Sequence, residues 1–337
     1  MKKCVFILLL ISALFLAACG KADNSEPARR TMFAMDTVMN LTVYGKDSGK
    51  ALDAAEAELQ RLDALLARGV EGSAVYALNH DGTVIDATVA NLIDVCGTLS
   101  QATDGAFDPT IAPLLELWGF GSGAGEHRVP TQAEIDAALA DVGDEHVHRD
   151  GNQVVLDLPT QIDFGGVAKG EAGVRAIQTL EKNGIKSAVL DLGGDVALLG
   201  SKPDGSNWRV AVKDPADASV YLGILETPGD VFVMTSGVYE RWFEENGVRY
   251  HHILDPKTGY PADSGVVSAT VICKDGWCAD MLATACCVAG TERALVWRAE
   301  GIVEFDLILV MEDGRVLYTC DGFTPQPGNG YEYQQVG

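Results

Sequence analysis

A series of short strands separated by Gly, Asp and Pro fills the second half of this chain and limits the folds open to it. Helical periodicity flanks these strands, and no internal repeat or low-complexity linker divides the sequence. The pattern therefore predicts one α+β domain. The predicted strands are residues 154–158, 187–192, 208–212, 221–225, 231–234, 250–254, 268–273, 305–311 and 315–318. The predicted helices are residues 52–66, 87–103, 169–183, 277–289 and 291–300.

Two further segments have more specific signatures. Residues 32–44 read as one long strand with a kink near Met35 and Asp36. Another helix should begin after Thr131, because Glu134 stands three residues later and the two can form a capping box.

The N-terminus resembles an export signal. Lys2 and Lys3 precede an apolar run at residues 5–16, and two alanines precede Cys19. The residues around Cys19 resemble the lipobox of bacterial lipoproteins, although an ordinary secretory signal is the alternative. We therefore expect a lipoprotein signal peptide at 1–18, a lipidated cysteine and tether at 19–30, and a single domain at 31–337. The expected location is the extracytoplasmic face of a membrane, through the lipid anchor.

The charge balance restricts the partners. The formal net charge is −23, and so acidic a protein is repelled by nucleic acid and by anionic lipid. We therefore expect no nucleic-acid partner. Attraction to an anionic substrate must be local, through a metal ion, Lys169 or backbone N–H groups.

The cysteines leave their chemistry open. Besides Cys4 and Cys19 there are six, at positions 96, 273, 278, 286, 287 and 320. An exported protein can pair them, but six cysteines allow fifteen connectivities and the sequence does not choose. Cys286 and Cys287 lie in an apolar stretch, which favours small buried thiols. No zinc-type spacing is present in the sequence.

Residues 250–259 and 279–284 supply polar groups suited to catalysis. His251 and His252 precede a turn that begins at Asp255 and Pro256, and Asp280 and Thr284 are four residues apart on a predicted helix. A carboxylate and a hydroxyl on one helical face suit a hard cation, and an imidazole suits proton transfer. The alternative is a helix start with a capping acid and a threonine bonded to its own backbone.

The segment Asp163-Phe164-Gly165-Gly166-Val167-Ala168-Lys169-Gly170 lies between a predicted strand and a predicted helix. Its glycines permit close backbone approach to a phosphate, and the helix N-terminus favours an anion. It matches neither the P-loop nor the dinucleotide-binding pattern. An ordinary strand-to-helix turn is an equally good interpretation of this segment alone.

Together with Asp191-Leu192-Gly193-Gly194-Asp195, these stretches resemble the ApbE family of FAD:protein FMN transferases. The resemblance runs from about Met35 to the last strand. It implies a sheet-rich core with flanking helices and an active site in a cleft between two halves. It also implies FAD as substrate, Mg²⁺ as cofactor, and acceptors that are exported flavoprotein subunits of membrane redox complexes.

The resemblance also implies roles for individual residues. His252 matches the candidate general base. The metal ligands it implies are Asp280, Thr284 and the main-chain carbonyl of Gly166. The residues it implies for FAD binding are Met35, Ala106, Phe107, Asp108, Asp163, Lys169 and Leu254.

Departures from the family pattern occur at four positions. Asp36 replaces a glycine, Gly69 a serine or aromatic residue, and Glu171 an aromatic residue, while Ala283 stands where some members have an aspartate. The stacking of the flavin is therefore the least supported part of the resemblance.

The expected reaction is Mg²⁺-dependent transfer of FMN from FAD to a Ser or Thr hydroxyl of an exported acceptor, with release of AMP. Two alternatives remain. Water can replace the acceptor, which would make the chain an FAD pyrophosphatase, or the chain can be a flavin-binding lipoprotein without catalysis.

Overall fold

The computed structural model describes residues 26–121, 125–217 and 219–337. The strands are β1 (Ala28–Ala34), β2 (Thr37–Tyr44), β3 (Thr83–Ile85), β4 (Val147–Asp150), β5 (Gln153–Leu156), β6 (Ser187–Asp191), β7 (Val196–Leu199), β8 (Trp208–Lys213), β9 (Tyr221–Thr227), β10 (Val231–Gly237), β11 (Trp242–Glu245), β12 (Val248–His251), β13 (Val266–Cys273), β14 (Phe305–Met311), β15 (Arg315–Tyr318), β16 (Phe323–Pro325) and β17 (Glu332–Gln335). The helices are α1 (Ser48–Leu66), α2 (Ala74–Asp81), α3 (Ala87–Ala102), α4 (Ala112–Trp118), α5 (Gln132–Leu139), α6 (Ala168–Lys182) and α7 (Gly276–Glu300), with a 3₁₀ turn at Asp144–His146.

A nine-stranded sheet forms the centre of the fold, in the order β1-β2-β6-β7-β10-β13-β14-β15-β17. Neighbouring strands are antiparallel except β15 and β17. Strand residues alternate between the two faces, so each face has its own core. In β10, for example, Met234 joins the core beneath the helices, whereas Val233 faces the small sheet β16-β9-β8.

The helices α1, α6 and α7 pack together over one face of the main sheet. The apolar spacing of α1 explains its position, because Leu52, Ala55, Leu59 and Leu62 recur on one helical face and are all buried. Helix α7 has non-helical backbone angles at Gly290 (φ 81°), at the break predicted between residues 289 and 291.

A third apolar cluster supports the two-stranded sheet β11-β12. It contains Leu114, Trp118 and Ile135 from α4 and α5, together with Leu254. Phe243 and Tyr250 of the hairpin pack against it, and their rings lie 5.4 Å apart. This cluster fixes the chain on either side of His252.

The α+β class with a sheet-rich core and flanking helices is confirmed. The capping box of Thr131 and Glu134 is present, with both of its hydrogen bonds. The single-domain division and the cleft between two halves remain predictions.

Two strand predictions were wrong. Residues 32–44 form a hairpin and not one kinked strand, because Met35 (φ 51°) and Asp36 (φ 56°) both adopt left-handed angles between β1 and β2. That is the geometry of the tight turn that suits a two-residue hairpin. The strand predicted for residues 250–254 ends at His251. After it, Leu254 forms only an isolated bridge with Pro261 and packs into the third cluster.

The predicted tether is too long at its C-terminal end. Strand β1 begins at Ala28, so residues 28–30 belong to the main sheet. Arg30 is held there by ion pairs with Asp53 and Glu56 of α1, at 2.6 and 2.7 Å. The signal segment and Cys19 lie outside the described residues. Within residues 26–121, 125–217 and 219–337, no helix has the length and apolarity needed to cross a membrane.

Candidate active site

Helix α7 presents Asp280 and Thr284 toward two other segments of the chain. Asp280 is 3% exposed, and its Oδ2 accepts a hydrogen bond of 2.8 Å from the backbone N–H of Gly170. The hydroxyls of Thr284 and Ser236 are hydrogen-bonded at 3.0 Å. Ser236 lies on β10, so the sheet, α6 and α7 meet at this point. The interpretation of Asp280 as a simple helix cap is wrong, because the capping residue of α7 is Asp275.

Two glycines permit this close approach. A Cβ on Gly170 would lie 2.4 Å from the carbonyl oxygen of Gly276 and 3.0 Å from Cβ of Asp280. A Cβ on Gly166 would lie 2.9 Å from Cε2 of Phe107 and 3.2 Å from Oγ1 of Thr284. Gly166 therefore lies beside Thr284, as the predicted metal set requires, and the space around it excludes a side chain.

Lys169 and Asp195 form a buried ion pair in the same region. The carboxylate of Asp195 is 2% exposed and also accepts a 2.6 Å hydrogen bond from the backbone N–H of Thr235. Burial lowers the pKa of Lys169, but the carboxylates of Asp195 and Asp280 outweigh this effect and raise it above its usual value. Lys169 is therefore a fixed cation beside Asp280.

The electrostatic state of Asp280 suits a cation ligand. Its burial raises the pKa of Asp280 well above the usual range, and the negative charge of Asp195 adds to the effect. Lys169 acts in the opposite direction. A metal ion close to such a buried carboxylate stabilises its ionised form strongly, because the ion supplies the positive charge that a proton would otherwise supply.

The donor set fits magnesium. The oxygens brought together are one carboxylate, the hydroxyls of Thr284 and Ser236, and the main chain at Gly166. Magnesium prefers oxygen ligands and usually keeps several waters or substrate phosphates. Within the part of the chain that the structure describes, no group of three His, Cys, Asp or Glu side chains could hold a metal ion. A magnesium site here would therefore depend on hydroxyl, carbonyl and substrate oxygens.

Asp163 links the glycine-rich loop to a second family segment. Its Oδ1 accepts a 2.6 Å hydrogen bond from the backbone N–H of Gly165, and its own N–H donates to the carbonyl of Pro109 at 2.7 Å. Its Oδ2 pairs with Arg68 at 2.8 Å. Since Phe107 also packs against Gly166, residues 107–109 and the loop 163–170 are in contact at two points.

His252 lies directly after β12 and is held by the chain before β11. Its backbone N–H donates to the carbonyl oxygen of Arg241 at 3.1 Å, and its Nδ1 lies 3.2 Å from the same oxygen. A carbonyl oxygen can only accept, so Nδ1 carries the hydrogen and Nε2 keeps its lone pair. Burial, and then the charge of Arg241, lower the pKa of His252 to about 3. From the sequence, a near-neutral pKa is the expectation for a histidine that acts as a general base, and the pKa of His252 in the structure is lower than that.

His251 has a different environment. It is 8% exposed and its Nε2 lies 3.1 Å from the carbonyl oxygen of Ala262. His252 is partly buried, and the negative charge of Asp163 raises its pKa slightly against the larger effects of burial and Arg241. The two imidazoles therefore face different surroundings, although His252 is not part of the strand.

Comparison with known proteins identifies the family. The sequence model described as "ApbE family" matches residues 35–305. The chain belongs to the ApbE family. It is 38% identical over 229 residues to the FAD:protein FMN transferase of Vibrio cholerae, covering 67% of this chain and 68% of that protein. It is 31% identical over 323 residues to the enzyme of the same name from Salmonella typhimurium, covering 90% and 91%. The crystal structure of the ApbE protein of Thermotoga maritima superposes with a TM-score of 0.79 at 35% identity, covering 86% of this chain and 96% of that one.

The remaining ApbE-like positions lie in three other segments: residues 106–108, Leu254 and Met35. Ala106 and Phe107 are buried, and Asp108 accepts hydrogen bonds from the N–H and hydroxyl of Thr110 at 2.8 and 2.6 Å. Burial raises the pKa of Asp108 above its usual value despite these bonds. The side chain of Leu254 is buried in the third apolar cluster, so any contact with a flavin would come from its backbone.

Met35 lies in the turn of a hairpin that contacts the loop carrying Asp195. Its backbone N–H donates to Asp63 at 2.9 Å, and the next residue but one, Thr37, packs closely against Gly193 in the loop that carries Asp195. Met35 itself has no described contact with Asp280 or Lys169.

The structure accounts for two departures from the ApbE pattern. Asp36 occupies a left-handed position (φ 56°), which aspartate tolerates better than most residues, so it can replace glycine in this turn. Glu171 is fully buried and does not offer a surface for stacking. Its carboxylate accepts from Nε1 of Trp277 at 2.5 Å and pairs with Arg175 at 2.8 Å. Gly69 provides no side chain, and no described contact replaces one.

Several residues of this site were missed or undervalued in the sequence. In the sequence, Asp195 is recognisable only as the last residue of the loop 191–195. Ser236 lies in the run Thr235-Ser236-Gly237, which resembles a family segment and suggests no more than a phosphate contact. Their signals were the Gly-Gly-Asp and Thr-Ser-Gly runs. Arg68 and Arg241 had no sequence signal, because their partners are distant in the chain or are backbone atoms.

All six described cysteines are free thiols, and Cys286 and Cys287 are buried as expected. Burial raises the pKa of Cys286 to about 12. Neither thiol is therefore a candidate nucleophile at neutral pH.

Proposed function

We propose that the chain is a magnesium-dependent FAD:protein FMN transferase, which moves FMN from FAD to a Ser or Thr hydroxyl of an exported acceptor flavoprotein and releases AMP. The enzyme class follows from the family and its named relatives. One observation supports the mechanism most directly. Two glycines of the 163–170 segment contact helix α7: Gly170 donates to Asp280, and Gly166 lies beside Thr284.

The metal ligands in this proposal are Asp280, Thr284 and the carbonyl of Gly166, with Ser236 beside Thr284. Magnesium held there would neutralise charge on the diphosphate of FAD and polarise the phosphorus under attack. The N–H of Gly170 fixes the orientation of the Asp280 carboxylate, and the packing of Gly166 against Phe107 fixes the position of the loop. Both contacts are made within the chain itself, so they can hold the proposed metal ligands and the loop in one arrangement.

Lys169 supplies the second positive charge. Its pairing with Asp195 holds the ammonium group in place, and the raised pKa keeps it protonated throughout the neutral range. A fixed cation beside the metal set would bind the diphosphate of FAD despite the acidic charge of the whole chain. The loop from Asp163 to Gly170 would then be a phosphate-binding loop and not an ordinary strand-to-helix turn.

His252 is the proposed general base. The hydrogen on Nδ1 is engaged by the carbonyl of Arg241, so the lone pair of Nε2 is the acceptor. In the transfer step the acceptor hydroxyl oxygen bonds to the flavin-side phosphorus, its proton passes to Nε2, and the bond between that phosphorus and the bridging oxygen breaks to release AMP. The lowered pKa keeps the imidazole unprotonated at neutral pH, and the negative diphosphate would raise its basicity when FAD binds.

We also propose attachment to the extracytoplasmic face of a membrane through acylated Cys19. The support is the sequence around Cys19 alone. Acceptors of this enzyme would then be exported flavoproteins, including subunits of membrane redox complexes. The acidic surface gives no basis for a nucleic-acid partner.

A coupled assay tests the proposal. Residues 20–337 would be incubated with FAD, Mg²⁺ and an acceptor flavoprotein, and AMP release and acceptor mass would be followed together. The proposal predicts one flavinylated acceptor for each AMP, with EDTA stopping both. AMP with free FMN and an unmodified acceptor would support the pyrophosphatase alternative. FAD binding without any AMP would support the non-catalytic alternative.

A further inference from the structure

Arg68 is an enclosed cation beside the glycine-rich loop, and its side chain is less exposed than that of Lys169. It lies two residues beyond the end of α1, and its side chain is 11% exposed. One arm of its guanidinium, Nη1, donates to Oδ2 of Asp163 at 2.8 Å. The other, Nη2, forms a short ion pair with Glu116 near the end of α4. Arg68 therefore joins three separate parts of the chain.

The contacts of Arg68 continue to the proposed metal ligands. Asp163 uses its second oxygen to accept from the N–H of Gly165 at 2.6 Å. The next residue, Gly166, lies against Phe107 and Thr284, and Gly170 at the end of the loop donates to Asp280. The guanidinium thus holds the first residue of a loop whose later residues contact both predicted metal ligands of α7.

The charges in this region explain why the loop needs such a partner. Asp163 and Glu116 are both anionic, and both would repel an anionic substrate bound at the loop. A guanidinium neutralises the two carboxylates at once and restricts their orientation, since its planar fork donates in two directions. A lysine at this position would supply the charge without the planar, fixed pair of donors that sets the direction of both hydrogen bonds.

We propose that Arg68 is a positioning residue for FMN transfer. By pairing with Asp163 and Glu116, it holds the Asp163–Gly170 loop in the arrangement that aligns Gly166 with Thr284 and Gly170 with Asp280. It acts on the reaction through Asp163 and does not touch the reacting atoms. The inference rests on the proposed function for its effect on turnover, but its effect on the loop is independent of that function.

The experiment compares Arg68→Gln, Arg68→Lys, Asp163→Asn and the Arg68→Gln/Asp163→Asn double variant. Asparagine keeps one oxygen that can accept from Gly165, but it replaces the oxygen that pairs with Arg68 by an NH2 group and so removes both the charge and that hydrogen bond. Arg61→Gln is the matched control, because Arg61 lies on α1 and is 45% exposed, and its ion pair among the described residues is with neighbouring Glu58. Three quantities are measured: kcat for AMP release, FAD affinity by flavin fluorescence, and hydrogen exchange of residues 163–170.

We expect Arg68→Gln to lower kcat by about 10- to 100-fold, the usual effect of removing a residue that orients a metal site. FAD affinity should change less than kcat, and exchange at residues 163–170 should become faster. Arg68→Lys should restore only part of the activity. The double variant should be no worse than the poorer single variant, because both remove the same interaction. Arg61→Gln should match the wild type in all three measurements.

Four results would each overturn the inference. Two concern kcat: a value for Arg68→Gln within twofold of that of Arg61→Gln, and losses that multiply in the double variant. The other two are a defect confined to FAD affinity and unchanged hydrogen exchange of residues 163–170 in Arg68→Gln. If Arg68→Gln does not fold, Arg68→Lys and Asp163→Asn decide by the same criteria. If the wild type neither releases AMP nor modifies an acceptor, the proposed function fails. Hydrogen exchange then still shows whether Arg68 holds the loop, and unchanged exchange in Arg68→Gln would overturn the inference.

Discussion

Replacing Gly166 by alanine tests whether the loop depends on close packing. A carbonyl ligand requires no particular side chain, so the predicted metal role makes glycine acceptable at position 166 without requiring it. The structure requires glycine there, because the new Cβ of Gly166→Ala would lie 2.9 Å from Cε2 of Phe107 and 3.2 Å from Oγ1 of Thr284. Contacts below 3.0 Å force a neighbour to move. Here the neighbours are a ring that is 5% exposed and a predicted metal ligand.

The expected cost follows from the packing. An extra methyl group in a filled site typically costs about 1–3 kcal/mol, which corresponds to roughly 2–4 °C in Tm for each kcal/mol in a domain somewhat smaller than this one. Displacing the loop would also move the carbonyl of Gly166 away from Thr284, so the magnesium concentration for half-maximal AMP release should rise. Thermal unfolding and a magnesium titration measure the two effects. Gly97→Ala is the control, because no atom lies within 4 Å of its added Cβ.

A second substitution makes the test specific. Phe107→Leu removes Cε2, the atom closest to the added methyl group, so the Gly166→Ala/Phe107→Leu variant should recover part of the lost stability and magnesium affinity. Its combined effect should be smaller than the sum of the two single effects. The reasoning is refuted if Gly166→Ala behaves like Gly97→Ala, or if the effects of Gly166→Ala and Phe107→Leu are simply additive.

Three further predictions follow from the buried groups and the N-terminus. Asp280→Asn should abolish turnover yet make the metal-free protein more stable than the wild type. The difference in stability between Asp280→Asn and the wild type should grow as pH rises from about 4, where a free Asp loses its proton, towards the raised pKa of Asp280. Equal unfolding midpoints of the two proteins at both pH 5 and pH 8 would contradict this. His252→Ala should lower the transfer rate by roughly two to four orders of magnitude with little change in FAD affinity, whereas His251→Ala should cost stability but spare the rate; a near-normal rate for His252→Ala would remove it as the base. Cys19→Ser should move the protein from the membrane to the soluble extracytoplasmic fraction, and fractionation tests this directly.

Local signals predicted much of the fold. The capping box of Thr131 and Glu134, the strand Phe305–Met311 and the break of α7 at Gly290 depend on residues close in sequence, and all three are present. The hairpin at Met35 and Asp36 was missed because methionine is an unusual residue for left-handed backbone. Strand β7 was missed because Val196–Leu199 follows a Gly-Gly-Asp loop so closely that it had no separate boundary.

In the candidate site, too, features local in sequence could be predicted and contacts between distant segments could not. Asp280 and Thr284 could be paired from their helical spacing, and the glycine-rich loop could be recognised from its composition. The sequence could not show that Gly170 donates to Asp280, since they are separated by 110 positions. Nor could it show that Arg68 pairs with Asp163, or that burial and Arg241 lower the pKa of His252. These properties depend on which distant segments are packed together.

The fate of water oxygen tests the central claim most directly. The reaction would be run in ¹⁸O-labelled water with FAD, Mg²⁺ and the acceptor, and the products analysed by mass spectrometry. If the acceptor hydroxyl attacks the flavin-side phosphorus, AMP and the flavinylated acceptor both form without ¹⁸O. Free FMN carrying ¹⁸O would show that water is the nucleophile at that phosphorus. AMP carrying ¹⁸O would show attack at the other phosphorus, and either result would contradict the account.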